Sequence, residues 1–495
     1  MNEENKDPKA GISRRRFINK VALTAGGIAV YPYIANTGNG MGMNFEKNRR
    51  PNILLILTDQ QHWKAIGALG NPMLITPAQN QLVHEGVCIE NNYCTHPTCK
   101  PSRSSLLTGR MPMETGVWLN TSKQASRSVL DPGMPNIGSW LRDKAGYETI
   151  YAGKYHLSET STFDIPGFRV ISGGSDHRGD LGDTQVSRSC EAYIRNYAKS
   201  RNDNPFLLVC SLVQPHDVCH WLSINQNNME QPWYPDMEKI APLPPLPHNF
   251  GIPEQEPSYI KKVRQGQQPA QGEWNEAQWR YYLWSYYRQV EMVDAEIGRV
   301  LNALEESGEA KNTLVVLTSD HGEGMGEQQM VRKGFLYDSA TRVPLVARLP
   351  GTIPAGRKLS NTLSSGLDLM PTFCDYAGVD APSGLVHARS LKECWEGENV
   401  DIKRNAVIVE DNDGAMQTKD PNLSGRKVRS NKYSYISYFN DREEMLYNLS
   451  ADPGELINLA HDNKYKGIIE EHRELLKEWE SRLTISKHVP GSPWV

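Results

Sequence analysis

Asn52-Ile53-Leu54-Leu55-Ile56-Leu57-Thr58, followed at once by Asp59-Gln60-Gln61, decides the fold class. The run is apolar without alternation, the pattern of a strand buried on both faces of a parallel sheet. Three later runs repeat the plan. Glu148-Thr149-Ile150-Tyr151-Ala152 leads into Gly153-Lys154-Tyr155-His156. Pro205-Phe206-Leu207-Leu208-Val209-Cys210-Ser211-Leu212-Val213 leads into Gln214-Pro215-His216, and Asn312-Thr313-Leu314-Val315-Val316-Leu317-Thr318-Ser319 into Asp320-His321-Gly322. Every run ends in a residue able to carry charge. Ligands of open α/β sheets bind at the carboxyl ends of the strands, so these endings are expected to share one site.

Helices fill the intervals. Glu276 to Ser307 carries Leu283, Tyr287, Val290, Val293, Ile297, Val300 and Leu304 at spacings of three and four, a stripe broad enough to lie on a sheet. Ile137 to Ala145 is a second helix, closed by Gly146. Beyond about residue 380 the texture changes. Ala406–Glu410 and Lys432–Phe439 read as antiparallel strands and Lys464–Arg482 as an amphipathic helix. Two stretches read as irregular: residues 157–190, rich in Gly, Ser and Asp, as a rim, and Asp217 to about Gln271, rich in Pro, Asn and aromatics, as a lid or pocket wall.

The whole chain sets bounds on function. With 495 residues, 38% hydrophobic, 23% charged and a net charge of -4, it is an ordinary globular composition with no basic field for nucleic acid. Residues 1–38 stand apart: Ser13-Arg14-Arg15-Arg16-Phe17-Ile18, then Lys20 and a mild apolar run to Val30, read as a twin-arginine export signal. That run is too short and too rich in Gly and Ala for a permanent membrane anchor, so a periplasmic or secreted destination is expected. Eight cysteines at 88, 94, 99, 190, 210, 219, 374 and 394 are too few for a disulfide scaffold, though an oxidising destination permits one or two bridges.

The chemistry concentrates in Cys99-Lys100-Pro101-Ser102-Arg103-Ser104-Ser105-Leu106-Leu107-Thr108-Gly109-Arg110. Pro101 suits a first helical turn and Gly109 a stop, which puts Cys99 at a helix N-terminus. Unpaired N–H groups and the helix dipole favour an anion there, and Arg103 adds a two-pronged cation. A nucleophile and an anion cradle therefore share five residues.

This stretch resembles the signature of the type I sulfatases of the alkaline-phosphatase superfamily: Cys or Ser, any residue, Pro, Ser or Ala, Arg, then Thr-Gly-Arg. Leu446-Tyr447-Asn448-Leu449, Asp452-Pro453-Gly454-Glu455 and Asn458-Leu459 are similar to the family's carboxyl-terminal region, so the resemblance spans nearly the whole mature chain. It implies an α/β fold: a large mixed, mostly parallel sheet sandwiched by helices over residues 48–380, with a smaller antiparallel-sheet-plus-helix subdomain over 381–495. It implies formylglycine made from Cys99 by a formylglycine-generating enzyme, and a divalent metal held by Asp59, Gln60, Asp320, His321 and the modified residue 99. Calcium is the family's usual ion; magnesium and manganese stay open. Where the family carries a second Asp this chain has Gln60, which removes a negative charge from the ligand set.

By the same resemblance Arg103 anchors the nucleophile, Lys154 and His156 flank it with His156 driving sulfate release, His216 is the leaving-group acid, and Lys333 holds the ester oxygen and sulfate. Asp320 also helps to deprotonate the attacking hydroxyl. Substrates expected are sulfated saccharides or other organic sulfate esters, with His62, Trp63, His96, Asp217, His220, Trp221 and Glu323 beside the site and able to read a sugar. Two other readings fit the residues: a phosphodiesterase or phosphonate monoester hydrolase with the same nucleophile and metal, and a sulfated-glycan-binding protein if Cys99 stays a thiol.

Overall fold

The computed structural model describes residues 50–120, 130–157, 164–175, 178–200, 203–225, 242–267, 274–397, 402, 404–412, 424–439 and 442–487. The export signal expected at 1–38 lies outside these residues. In chain order the elements that build the site begin with β1 (Asn52–Asp59), α1 (Pro77–Glu85), β2 (Val87–Tyr93), α2 (Cys99–Thr108), α3 (Ile137–Ala145), β3 (Glu148–Gly153) and β4 (Arg169–Ser172). Next come α4 (Gly179–Ser200), β5 (Phe206–Pro215), α5 (Val218–Asn225), α6 (Ser258–Gln267), α7 (Glu276–Ser307) and β6 (Thr313–Ser319). Last are β7 (Leu345–Arg348), β8 (Arg357–Ser365), α8 (Leu369–Ala377), β9 (Ala406–Asp411), β10 (Gly425–Ser430), β11 (Tyr433–Tyr438), β12 (Glu443–Asn448) and α9 (Lys466–Glu480).

Among the described residues the large sheet has eight strands in the order β4-β3-β5-β1-β6-β7-β2-β8. The run β4-β3-β5-β1-β6 is parallel, β7 is antiparallel to both neighbours, and β2 pairs parallel with β8. Successive residues of β1 enter opposite cores. Ile53, Leu55 and Leu57 pack with Leu106 and Leu107 of α2, Leu141 of α3 and Phe373 of α8. Leu54 and Ile56 pack with Leu82 of α1, Ile194 of α4 and Ile297, Val300 and Leu304 of α7. Both faces are therefore covered, which explains the unbroken apolar runs. The smaller sheet, in the order β12-β11-β10-β9, is wholly antiparallel and buries Ile408, Val428, Tyr435 and Leu446 against Ile469, Leu476 and Trp479 of α9.

Two expectations need correction. Residues 157–190 are not simply a rim, because β4 and the first half of α4 fall within them. The Gly- and Asp-rich start of α4 hides the pattern, whose inward stripe of Val186, Cys190, Ile194 and Tyr197 begins only later. The stretch 217–271 holds two helices, α5 and α6, with residues 226–241 and 268–271 outside the described set. All eight cysteines are unpaired, seven of them buried.

Candidate active site

Parallel pairing puts the carboxyl ends of β3, β5, β1 and β6 on one edge. Thr58 registers with Ser319, so Asp59 and Asp320, the next residues on each strand, emerge side by side. Lys154 follows β3 and is held by its N–H to the Ser211 carbonyl at 3.0 Å; His216 follows β5. Above this edge stands the N-terminus of α2. Cys99 is its first residue, Thr98 before it is extended, and Gly109 ends it in the left-handed conformation at φ 71°. A Cβ on Gly109 would also lie 2.9 Å from the Met370 Cβ, so both the turn and the packing demand glycine.

Arg103, one turn into α2, binds strand ends and helix together. Its Nε donates to Asp320 Oδ2 at 2.7 Å, Nη2 to Asp59 Oδ2 at 2.9 Å, and Nη1 to the Lys154 carbonyl at 2.8 Å and Ser211 Oγ at 2.9 Å. Ser102 Oγ donates to the Asp320 carbonyl. Lys154, fully buried, sets its Nζ 2.9 Å from Asp59 Oδ2. Two carboxylates thus share two cations in a volume without water contact, where charge-assisted bonds are strong and unpaired charge is costly.

The Cys99 sulfur lies 3.1 Å from His321 Nε2, 3.3 Å from Lys333 Nζ and 3.7 Å from Asp59 Oδ1. One ligand atom from each of Asp59, Cys99, Asp320 and His321 falls within 4.8 Å of the others. His321 Nδ1 donates to the Gly322 carbonyl at 2.9 Å, which fixes the ring with Nε2 toward the sulfur. Gln60 is held in the left-handed region at φ 69°, with its N–H on Asp320 Oδ1 and its carbonyl receiving the Tyr286 hydroxyl. Its side-chain oxygen accepts from Lys333 Nζ, while its amide nitrogen donates to Glu323 and stands 3.2 Å from the Cys219 sulfur. Two carboxylate oxygens, an amide oxygen and an imidazole nitrogen fit a hard to borderline divalent cation.

The charges shift each other. Burial and the Asp59 carboxylate push the Cys99 thiol up, but Lys333, Lys154 and His321 outweigh them and hold it well below its ordinary value. Burial likewise raises Asp59, yet Lys154, His216, Arg103 and Lys333 keep it well below the usual carboxylate range. Asp320 goes the other way, to about 6, through burial and the neighbouring Asp59. Burial, Lys333 and Lys154 lower His216 to about 3; the Cys99 sulfur, which it hydrogen-bonds, acts against them.

The structure therefore gathers Asp59, Gln60, Cys99, Arg103, Lys154, His216, Asp320, His321 and Lys333. His156, half-buried and left-handed at φ 63°, stands two residues beyond Lys154. Three of the residues expected beside the site and able to read a sugar are interior. His62, His96 and Glu323 have no exposed surface. Glu323 lies beneath Gln60 and accepts from Tyr282 and from the Arg332 N–H. His96 Nδ1 pairs with Thr98 Oγ1 at 2.9 Å and its Nε2 accepts the Asn412 N–H at 3.3 Å, while the Glu410 N–H of β9 donates to the Thr95 carbonyl at 2.8 Å. Ser102 was read only as a signature position without a role, and Ser211 and Cys219 were not singled out from sequence. Of the last two, Ser211 carried a signal, a hydroxyl inside an otherwise apolar strand.

A cysteine at a helix N-terminus, a cluster of hard donor atoms and two lysines at the carboxyl edge of an α/β sheet suit a hydrolase acting on an oxyanion ester. Comparison with known proteins supplies the family. Residues 51–379 match the sulfatase family and residues 326–482 the family described as N-sulphoglucosamine sulphohydrolase, C-terminal. The chain belongs to the sulfatase family and is a sulfuric ester hydrolase. It is 31% identical over 463 residues to a Delta 4,5-hexuronate-2-O-sulfatase of Bacteroides thetaiotaomicron, covering 89% of this chain and 91% of that one. A solved 2-O GAG sulfatase superposes with a TM-score of 0.75 at 28% identity, over 88% of this chain and 95% of that chain. The fold is shared more widely, as with the phosphonate monoester hydrolase of Agrobacterium radiobacter, at a TM-score of 0.70 and 22% identity over 88% and 96% of the two chains.

Proposed function

We propose that this chain is an exported sulfatase that removes sulfate from a saccharide, with residues 48–380 as the catalytic unit and 381–495 as a subdomain that buttresses it. The observation that carries the reading is the convergence of Asp59, Cys99, Asp320 and His321 ligand atoms within 4.8 Å, with Lys333 3.3 Å from the sulfur. The saccharide rests on the sulfated-sugar names of the relatives, and export on the leader at 1–38. Among the described residues no helix is long and apolar enough to cross a membrane.

In this reading Cys99 is oxidised to formylglycine by a formylglycine-generating enzyme, and its hydrate supplies the hydroxyl nucleophile. Asp59, Gln60, Asp320 and His321 would hold calcium, or magnesium or manganese, which neutralises sulfuryl oxygen charge when bound. Arg103 fixes Asp59 and Asp320 so that neither carboxylate swings when charge arrives. Lys154 and Lys333 flank the position of the ester anion. Asp320 accepts a proton from the nucleophile, His216 donates one to the departing sugar oxygen, and His156 assists sulfate release. Burial first, and then Lys333 and Lys154, lower His216; the negative charge of an ester anion would act against the two lysines and so favour the protonated acid form.

The test uses protein produced with a formylglycine-generating enzyme. Its intact mass should show one sulfur and two hydrogens exchanged for one oxygen at residue 99. A panel of defined sulfated saccharides, run beside aryl phosphate diesters, should show sulfate release as the faster reaction. Faster diester turnover would overturn the reading, and an intact thiol in protein from the native host would favour sulfated-glycan binding without turnover.

A further inference from the structure

The ring of His216 is aimed without help from its own far side: Nδ1 is buried and has no hydrogen-bond partner among the described residues. Imidazoles that must hold an orientation are usually fixed by an acceptor at that nitrogen. The backbone must supply the aim here. At its end β5 leaves the regular ladder. Ser211 still registers with Leu57 of β1 and with Gly153 of β3, but Asp59 then faces Pro215, so residues 212–214 bulge out of the pairing.

The freed N–H groups go to one side chain. Val213 N–H donates to Asp183 Oδ1 at 2.7 Å and Gln214 N–H to Asp183 Oδ2 at 2.8 Å. Pro215 has no N–H, and the His216 N–H closes a turn on the Val213 carbonyl at 3.0 Å. Every backbone donor from 213 to 216 is thereby accounted for. The grip is returned from the other side: Asp217 Oδ2 accepts from the Gly179 and Asp180 N–H groups at 2.9 and 3.1 Å and from Gln214 Nε2 at 2.8 Å. Gly179 permits this approach, since a Cβ there would lie 2.6 Å from Gln214 Cγ and 2.9 Å from both Gln214 N and Asp183 Oδ2.

We infer that Asp183 and Asp217 are positioning residues for His216: a reciprocal pair of carboxylates that locks the first turn of α4 to the bulged end of β5 and so sets where the imidazole delivers its proton. The inference rests on the leaving-group acid role proposed above. Asp183 never touches substrate; it acts through two amide hydrogens and the turn they define. Displacement of a catalytic group by about 1 Å costs on the order of 100-fold, and the proton transfer it feeds is worth on the order of 10²–10⁴-fold.

The readout is leaving-group dependence, using the converted, metal-loaded enzyme and a series of aryl sulfates whose phenols run from strongly to weakly acidic. His216→Ala should slow every member of the series and steepen the dependence, the loss growing by a further factor on the order of 100 or more from 4-nitrophenyl sulfate to the poorest leaving group. Asp183→Asn and Asp217→Asn should steepen it in the same sense, on the order of 10-fold at the poor end and within about 2-fold at the good end. General loosening of the fold would lower all members by one factor. Should Asp183→Asn fail to fold, Asp217→Asn makes the same test from the helix side. Parallel plots for the folded Asp variants beside a steep one for His216→Ala would overturn the inference. A His216→Ala plot parallel to the parent would remove the acid role itself, and the inference with it.

Discussion

Replacing Arg103 by Met tests the electrostatic reasoning most directly. The guanidinium has 1% exposure and donates to both Asp59 and Asp320. Its other acceptors survive its loss, because the Lys154 carbonyl also receives the Ser211 hydroxyl at 2.7 Å and the Tyr151 hydroxyl at 2.8 Å. Asp59 likewise keeps Lys154 Nζ at 2.9 Å. Asp320 does not fare as well: it retains the N–H groups of Gln60 and His321, at 3.1 and 2.9 Å, with the His321 ring 3.6 Å away. Breaking a buried pair by removing one partner costs about 3–5 kcal/mol, most of it the stranded charge. Arg103→Met should therefore destabilise chelated protein by that amount in urea unfolding followed by tryptophan fluorescence. Because the stranded charge belongs to Asp320, the same substitution in an Asp320→Asn background should cost much less, with a coupling of about 2–3 kcal/mol in the double-mutant cycle. A coupling below about 0.5 kcal/mol would refute the assignment.

Two further outcomes follow from other sites. Glu410 is fully buried, and burial raises it to about 7 from an ordinary 4.5, with Arg426 and Asn412 opposing. Below pH 4.5 both folded and unfolded chains hold its proton and the stability it confers is complete. That stability is lost as pH rises through 7, roughly 3 kcal/mol in all. Glu410→Gln should then gain on the parent by that amount between pH 5 and pH 8 in unfolding free energy, and parallel curves would contradict it. Calcium at about 100 times its dissociation constant should stabilise the chelated protein by about 2.7 kcal/mol. With His321→Ala a tenfold weaker site would retain about 1.4 kcal/mol at the same concentration, and an unchanged shift in urea midpoint would remove His321 from the ligand set.

The sequence was most readable where one physical cause dominated. β1, β3, β5 and β6 are buried on both faces, so their apolar runs announce them, and the charged residues that end them mark the site edge. The period of α7 and the glycine after α3 are equally local signals. β2 was illegible because Asn91 and Asn92 are buried yet polar. Asn91 donates to the Ser360 carbonyl, and Asn92 Oδ1 receives the Ser364 hydroxyl at 2.9 Å. Such satisfaction comes from residues some 270 positions away, and no periodicity encodes it. The burial of Glu323 was illegible for the same reason: its partners Tyr282, Gln60 and Arg332 come from other elements and loops. Asp183 looked like part of a polar loop, since the bulge that needs its two oxygens lies on another element.

The fastening of the segment before Cys99 has a consequence for the order of events in synthesis. Asn412 meets His96 across 316 residues of chain, which at ~5–20 residues per second leaves roughly 15–60 s between the two emerging from the ribosome. Over that interval the thiol belongs to an unfinished fold whose final strands do not yet exist. On the proposed formylglycine reading, a catalyst acting on this sulfur, which is buried in the finished fold, would reach it most readily in that interval, before β9 ties down Thr95 and His96.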